Sequence, residues 1–125
     1  MRALQYVTYG GPEVLTWAES PDPHAGAGTI RIAVRAASVN PIDWKMLAGA
    51  MSGGQRMVGT GYLGYDAAGV VDEVGEGVTG VSVGDEVFGR GHNTQADYAV
   101  LDSWAQAAVD RLGRGRRGWR GRGDQ

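Results

Sequence analysis

Glycine is the residue type that most constrains this chain, because it occupies 22 of the 125 positions. This share is well above the usual ~7% and favours many tight turns over long helices. Between the glycines lie short segments in which apolar and polar residues alternate. The clearest is Thr29–Ser38, where Ile30 and Ile32 fall on one face and Arg31 on the other. Alternation of this kind predicts a half-buried β-strand.

The remaining segments extend this pattern into a mostly β fold. Further strands are predicted at Met1–Tyr9, Val14–Ala18, Tyr65–Val74, Val81–Gly91 and Gln95–Leu101. One short helix should begin at Pro41 or Asp43 and stop at Gly49, with Asp43 favoured as its N-cap over a contact with substrate. Short strands punctuated by glycine predict a partly open β-barrel with short helices rather than a doubly wound sheet.

Several classes of protein are disfavoured by what the sequence lacks. There is no cysteine, so disulfides and thiolate-bound metals are excluded. The two histidines, His24 and His92, lie in predicted loops without metal-ligand spacing, and no metal site is expected. No apolar run approaches the ~18 residues that would span a bilayer. The first ten residues also lack the apolar core of a signal peptide. A cytoplasmic protein without a membrane partner is therefore expected.

Three ordered blocks carry a resemblance to a known family. They are RAASVNPIDWK at 35–45, GYDAAGVVDEVGEGVTGVSVGDEVFG at 64–89 and QADYAVL at 95–101. Together they resemble the GroES-like N-terminal domain of medium-chain dehydrogenases/reductases, in the zinc-independent quinone oxidoreductase (zeta-crystallin) branch. The resemblance covers residues 1–108. It implies the substrate-side domain of an NAD(P)H-dependent reductase of quinones or α,β-unsaturated carbonyls, and NADPH as the cofactor of the intact enzyme.

The same resemblance implies which residues meet the substrate. The zinc-dependent branch has a Cys where this chain has Asn40 and a His-Glu pair where it has Tyr65-Asp66. Without zinc, the side-chain amide of Asn40 can donate to a carbonyl oxygen that gains negative charge, as an oxyanion hole does. Asn40 is therefore predicted to be catalytic and substrate-binding, with Tyr62 and Tyr65 as further substrate-binding residues. The alternative is that Asn40 only bonds the backbone of its own turn.

The dinucleotide fingerprint G-x-G-x-x-G occurs twice, at Gly75–Gly80 and Gly113–Gly118. A genuine fingerprint follows a strand and opens a helix. The first copy leads into Val81–Gly84, predicted to be another strand, and the second leads into more Arg and Gly. Neither is expected to bind a cofactor, and the cofactor-binding residues stay unknown. The resemblance implies that the usual Rossmann domain is missing, so the chain should be truncated and inactive alone.

Charge divides the chain into two unlike regions. Residues 1–110 carry six basic and thirteen acidic side chains, whereas residues 111–125 carry six Arg and one Asp. Residues 109–125 are predicted to be an Arg/Gly-rich, disordered tail, because their few large apolar side chains cannot build a core. A frameshift or natural truncation is the favoured origin. An inert tail and a nucleic-acid binder, with Arg on phosphates, are the alternatives.

A different class of function also remains open. The chain is alternatively a binding or interaction module without chemistry of its own. An apolar face left exposed, where a second domain would otherwise pack, recruits a partner or a second copy of the chain in that case. This alternative predicts either a homo-oligomer or a stable complex with a partner.

Overall fold

Strands account for most of the regular structure in residues 1–106, the part of the chain that the computed structural model describes. The strands are β1 (Arg2–Tyr6), β2 (Thr16–Glu19), β3 (Ile30–Ala37), β4 (Gly61–Tyr62), β5 (Asp66–Val74), β6 (Glu86–Gly91) and β7 (Tyr98–Gln106). A short 3-10 helix spans Pro12–Val14, and one α-helix, α1, spans Pro41–Ala48. The predicted boundary at residue 108 and the Arg/Gly-rich tail at 109–125 lie outside the described residues.

Four strands form a closed barrel in the order β3-β5-β6-β7, and every neighbouring pair is antiparallel. The alternation predicted for β3 is confirmed, because Ile30 and Ile32 are fully buried in the barrel. Leu101 of β7 and Val71 of β5 meet them in the same core. Burial of such side chains stabilises the fold by roughly 1.5–3 kcal/mol each. The predicted mostly β barrel is confirmed, but its four strands form a closed ring, whereas the sequence predicts a partly open barrel.

A smaller sheet, in the order β2-β1-β4, lies outside the ring of barrel strands. Its β1 contributes Tyr6 to a second core, where Tyr6 packs with Leu47 of α1 and with Leu63. Leu47 is completely buried, so this contact fixes α1 against the sheet. The second core therefore positions α1 and, with it, Asn40, the residue just before the helix.

The prediction of a strand over Val81–Gly84 is wrong, because β6 begins only at Glu86. The side chain of Asp85 accepts a hydrogen bond from the amide of Ser82 at 2.8 Å, and the amide of Asp85 donates to the carbonyl of Ser82 at 3.0 Å. Gly84 has a φ of 99°, a positive value that glycine adopts in tight turns and that lies outside the range of an extended strand. The alternating apolar side chains thus lie in a turn that is closed by Asp85.

An ion-pair cluster joins the outer face of β3 to β5. The guanidinium of Arg31 makes two bonds to Asp72, at 2.9 and 3.2 Å, and lies 4.8 Å from the centre of the Tyr98 ring. The next residue, Glu73, accepts from the amide of Ala25 at 2.6 Å and contacts His24 at 3.2 Å. These contacts, the Ala25 amide first, hold the pKa of Glu73 below its ordinary value of 4.5.

This lowered pKa predicts a specific dependence of stability on acid. A carboxylate whose pKa is depressed on folding stabilises the protein above its unfolded pKa, and this stabilisation is lost as the pH falls through the folded value. Glu73→Gln removes the titration. We expect the thermal midpoint of the unsubstituted chain to fall more steeply than that of Glu73→Gln below pH 4.5. Circular dichroism melts across the acid range measure this, and parallel curves would contradict it.

Candidate functional site

The junction between β3 and α1 is set by a short Asn-Pro sequence. Pro41 is the first residue of α1, where its fixed φ and missing N–H are tolerated. It also keeps the preceding Asn40 extended, with φ −120° and ψ 161°. At the other end of the helix, Gly49 is left-handed with φ 82°. The predicted helix, from Pro41 to a stop at Gly49, is confirmed.

Asp43 does not cap this helix in the way predicted. The N-cap is Asn40, and Asp43 is the third residue of the helix. Its carboxylate reaches back and accepts from the backbone amide of Asn40 at 2.8 Å, as in a capping box. The other carboxylate oxygen accepts from the amide of Gly64 at 2.9 Å. Asp43 is almost fully buried, so it ties the start of α1 to the segment that enters β5.

The side-chain amide of Asn40 faces the first residue of β5. Its Nδ2 donates to Oδ2 of Asp66 at 3.0 Å and lies 3.4 Å from Oγ of Ser38. The Ser38 hydroxyl in turn donates to the same Asp66 oxygen at 3.1 Å. The amide of Asn40 thus contacts two side chains that lie outside the helix turn it begins.

Asn40 and Asp66 line a cavity of about 420 Å³, called here the Asn40 cavity. Its lining residues are Asn40, Ile42, Tyr65, Asp66 and Arg90. The ring of Tyr65 meets that of His92 edge-on, with centroids 5.4 Å apart. Arg90 is largely exposed, and its Nε lies 4.0 Å from Oδ1 of Asp66. The cavity combines an amide donor, a carboxylate, a cation and two apolar surfaces.

An apolar groove of about 610 Å³ continues from this cavity and shares Asp66 and Arg90 with it. Ala36 lies opposite Ala68, Ala68 opposite Phe88, and Phe88 opposite Ala105. Residues directly opposite one another share a face of the sheet. One apolar row therefore crosses four strands, and Phe88 at its centre is 54% exposed.

The structure brings two of the three predicted site residues together. Asn40 and Tyr65 line one cavity, whereas Tyr62 lines another, of about 410 Å³. The hydroxyl of Tyr62 is 3.3 Å from that of Ser20. Sequence reasoning missed Arg90 as a lining residue, because Arg90 reaches the site only through its pairing with Asp66 across β5 and β6. No local signal in the sequence reveals that register.

The glycines at Gly75–Gly80 do not form the turn of a dinucleotide fingerprint. β5 ends at Val74 and the next regular element is β6, so no helix follows the glycines of Gly75–Gly80. The fingerprint binds the pyrophosphate at the N-terminus of that helix. The second glycine motif, Gly113–Gly118, lies outside the described residues. Within residues 1–106, no three His, Cys, Asp or Glu side chains group closely enough to hold a metal ion, and no helix is long and apolar enough to cross a membrane.

Comparison with known proteins decides the family. The model of the alcohol dehydrogenase GroES-like domain matches residues 26–119. The chain belongs to this family. Within it, the resemblance to the N-terminal domain of medium-chain quinone oxidoreductases is confirmed by the relatives.

This GroES-like chain resembles only part of each relative. It is 36% identical to 2-methylene-furan-3-one reductase of Solanum lycopersicum, over 78% of this chain and 25% of that one. It is 37% identical to quinone oxidoreductase of Lama guanicoe, over 70% of this chain and 26% of that one. The structure of Escherichia coli quinone oxidoreductase complexed with NADPH matches with a TM-score of 0.74 at 26% identity, over 86% and 33% of the two chains. The chain thus spans about a quarter of the length of these curated relatives.

Proposed function

We propose that this GroES-like chain forms the substrate-side part of an NAD(P)H-dependent reductase of quinones or α,β-unsaturated carbonyls. Relatives named quinone oxidoreductase and 2-methylene-furan-3-one reductase support this substrate class. The NADPH complex of the Escherichia coli relative supports NADPH as the cofactor of the whole protein. The observation that carries the proposal is the amide of Asn40, which lines a cavity beside the ring of Tyr65.

The chemistry proposed for this cavity rests on the two hydrogens of the Asn40 amide nitrogen. One is donated to Asp66, with 3.0 Å between Nδ2 and Oδ2. The other makes only a weak hydrogen bond to Ser38, because Oγ lies 3.4 Å from Nδ2, beyond the usual bond length. That second hydrogen is available to the carbonyl oxygen of an acceptor. As the acceptor is reduced, negative charge collects on this oxygen, and a fixed N–H donor stabilises it.

The apolar surfaces of the cavity suit the rest of such an acceptor. Ile42 and the ring of Tyr65 offer contact to a flat, conjugated ring, while Arg90 stays near solvent. Tyr62 lies on the separate cavity and is not part of this arrangement. Its predicted contact with substrate stays a prediction, as does the cytoplasmic location.

Binding of a simple enone tests the role of Asn40. The probe is 2-cyclohexen-1-one, which finds no thiol to alkylate because the chain has no cysteine. In a two-dimensional ¹⁵N NMR titration we expect the signals of Asn40, Ile42 and Tyr65 to shift. Asn40→Ala should weaken binding about fivefold, the effect of losing one neutral hydrogen bond of about 1 kcal/mol.

The matched control for this titration is the exposed Asp102, which lines the cavity of Tyr62 and not the Asn40 cavity, changed to Asn. Asp102→Asn should bind the probe as the unsubstituted chain does. Unchanged signals from the barrel core, such as Ile32, show that each variant is folded. Equal affinities of Asn40→Ala and the unsubstituted chain would contradict the proposed role of Asn40.

Within residues 1–106 the glycine motif at 75–80 opens no helix, and this gives a second prediction. The chain alone should bind NADPH weakly and reduce little or no quinone, because the glycines at 75–80 open no helix for the pyrophosphate. Isothermal titration calorimetry with NADPH, and the decay of NADPH absorbance with a quinone present, measure both properties. A micromolar dissociation constant would overturn this prediction.

The alternative of an interaction module draws on a different observation, the 54% exposure of Phe88 in the apolar groove. A homo-oligomer or a partner stays a prediction. Size-exclusion chromatography coupled to light scattering separates the possibilities, since a monomer at high concentration disfavours self-association. The nucleic-acid alternative predicts RNA affinity that falls steeply with salt and disappears when residues 111–125 are deleted.

A further inference from the structure

Asp66 makes the closest side-chain contact to the Asn40 amide, 3.0 Å between Oδ2 and Nδ2. The same oxygen accepts from the Ser38 hydroxyl at 3.1 Å. A carboxylate has acceptors only, so it must face the nitrogen of an amide and not the oxygen. A neutral residue at position 66 would not impose this choice, because hydroxyl and amide side chains both donate and accept.

The backbone that carries this carboxylate is itself held by buried structure. The backbone carbonyl of Asp66 accepts from the hydroxyl of Thr94 at 3.0 Å, and Thr94 is fully buried. The same carbonyl lies 3.4 Å from the amide of Ser38, and Asp66 pairs with Arg90 across β5 and β6. The backbone of Asp66 is therefore fixed relative to the barrel before any ligand binds.

We propose that Asp66 is a positioning residue that sets which end of the Asn40 amide faces the cavity. This proposal rests on the proposed function, in which Asn40 donates to a carbonyl oxygen. Two carboxylates then bind different parts of Asn40. Asp43 holds the backbone of Asn40 at 2.8 Å, and Asp66 holds its side chain. With one N–H on Asp66, the second N–H on the same nitrogen is presented as a donor.

A nearby cation reduces the electrostatic cost of the negative charge beside the site. A carboxylate alone would oppose the charge that collects on a bound carbonyl oxygen. Arg90 lies on the other side of the carboxylate, with its Nε 4.0 Å from Oδ1, and offsets part of that charge. The oxygen that orients Asn40 is Oδ2, so the cation and the amide contact different oxygens of Asp66.

Substitutions at position 66 show whether Asp66 orients the Asn40 amide or only occupies space beside it. Asp66→Asn keeps the volume but both donates and accepts, so the Asn40 amide can turn over. Asp66→Ala removes the partner. Asp66→Glu keeps the acceptor-only character and should restore part of the orientation. Asp102→Asn is the matched control for loss of one exposed negative charge.

The first readout is the pair of side-chain NH₂ signals of Asn40, assigned by their loss in Asn40→Ala. In the unsubstituted chain we expect two well-separated proton shifts, because only one hydrogen meets a carboxylate. Asp66→Ala and Asp66→Asn should bring the two shifts together, Asp66→Glu should partly restore the separation, and Asp102→Asn should leave it unchanged. An Asn40 pair that does not move in Asp66→Ala overturns the proposal, whether or not any ligand binds.

The second readout is affinity for 2-cyclohexen-1-one. Asp66→Asn should weaken binding about fivefold, as Asn40→Ala does, and the double variant should be no weaker than either single one. Additive losses in the double variant would overturn the proposal, because Asp66 would then act without Asn40. If the probe does not bind the unsubstituted chain, the proposed function fails, and the NH₂ signals alone decide the role of Asp66.

Discussion

Gly69→Ala is expected to keep the barrel from closing and to cost more than about 3 kcal/mol of the free energy of unfolding. Gly69 lies in β5 opposite Val34 of β3. A Cβ at this position would overlap the carbonyl oxygen of Ala33 and would lie 2.9 Å from its carbonyl carbon and 3.1 Å from Cα of Val34. All three atoms belong to the backbone, so no side-chain rotation relieves the overlap.

Relief would require β3 to move away from β5 and to give up the pairing that closes the barrel. A domain of this size has only about 5–15 kcal/mol of total stability, so this loss leaves a large unfolded fraction. Urea denaturation followed by circular dichroism measures it. The control is Gly26→Ala, where a Cβ meets nothing within 4 Å. It should change stability by less than about 0.5 kcal/mol, and equal midpoints for both variants would contradict the prediction.

Asp43→Ala is expected to cost about 3 kcal/mol, because it leaves two backbone amides without a charged acceptor in a buried place. The amides are those of Asn40 and Gly64, at 2.8 and 2.9 Å from the carboxylate, which is 2% exposed. Asp43→Asn keeps the shape and one acceptor, so its loss should be intermediate. Urea denaturation gives the free energies.

Hydrogen exchange adds a local test of the same contact. The amide of Gly64 should exchange faster in Asp43→Ala than in the unsubstituted chain, since its acceptor is gone. The amide of Ile32 in the barrel core serves as an internal reference. An Asp43→Ala variant as stable as the unsubstituted chain, with Gly64 still protected, would show that the carboxylate does not hold the site together.

Local patterns in the sequence predict those features that depend on neighbouring residues. The alternation around Ile30 and Ile32 predicts β3, and Pro41 with Gly49 predicts the limits of α1. The strand predicted at Val81–Gly84 is wrong, because these residues form a turn. The alternation there is compatible with either structure, and the side-chain bond from Asp85 decides for the turn.

The candidate site depends on contacts between distant segments, which local patterns do not contain. Asn40 was predicted from the family resemblance, but its partner Asp66 is 26 residues away. Arg90 joins the cavity only through the register of β5 and β6. Tyr62 and Tyr65 are close in sequence but line different cavities. Strand pairing, rather than spacing along the chain, determines which side chains meet.

The most direct test of the proposed donation from Asn40 is the polarisation of a carbonyl group bound beside it. The probe is 2-cyclohexen-1-one labelled with ¹³C at the carbonyl carbon. Donation from Nδ2 polarises the C=O bond, so the bound ¹³C signal should move to higher frequency in the unsubstituted chain than in Asn40→Ala. If the bound carbonyl has the same chemical shift in both proteins, Asn40 does not donate to it, and the proposed chemistry is wrong.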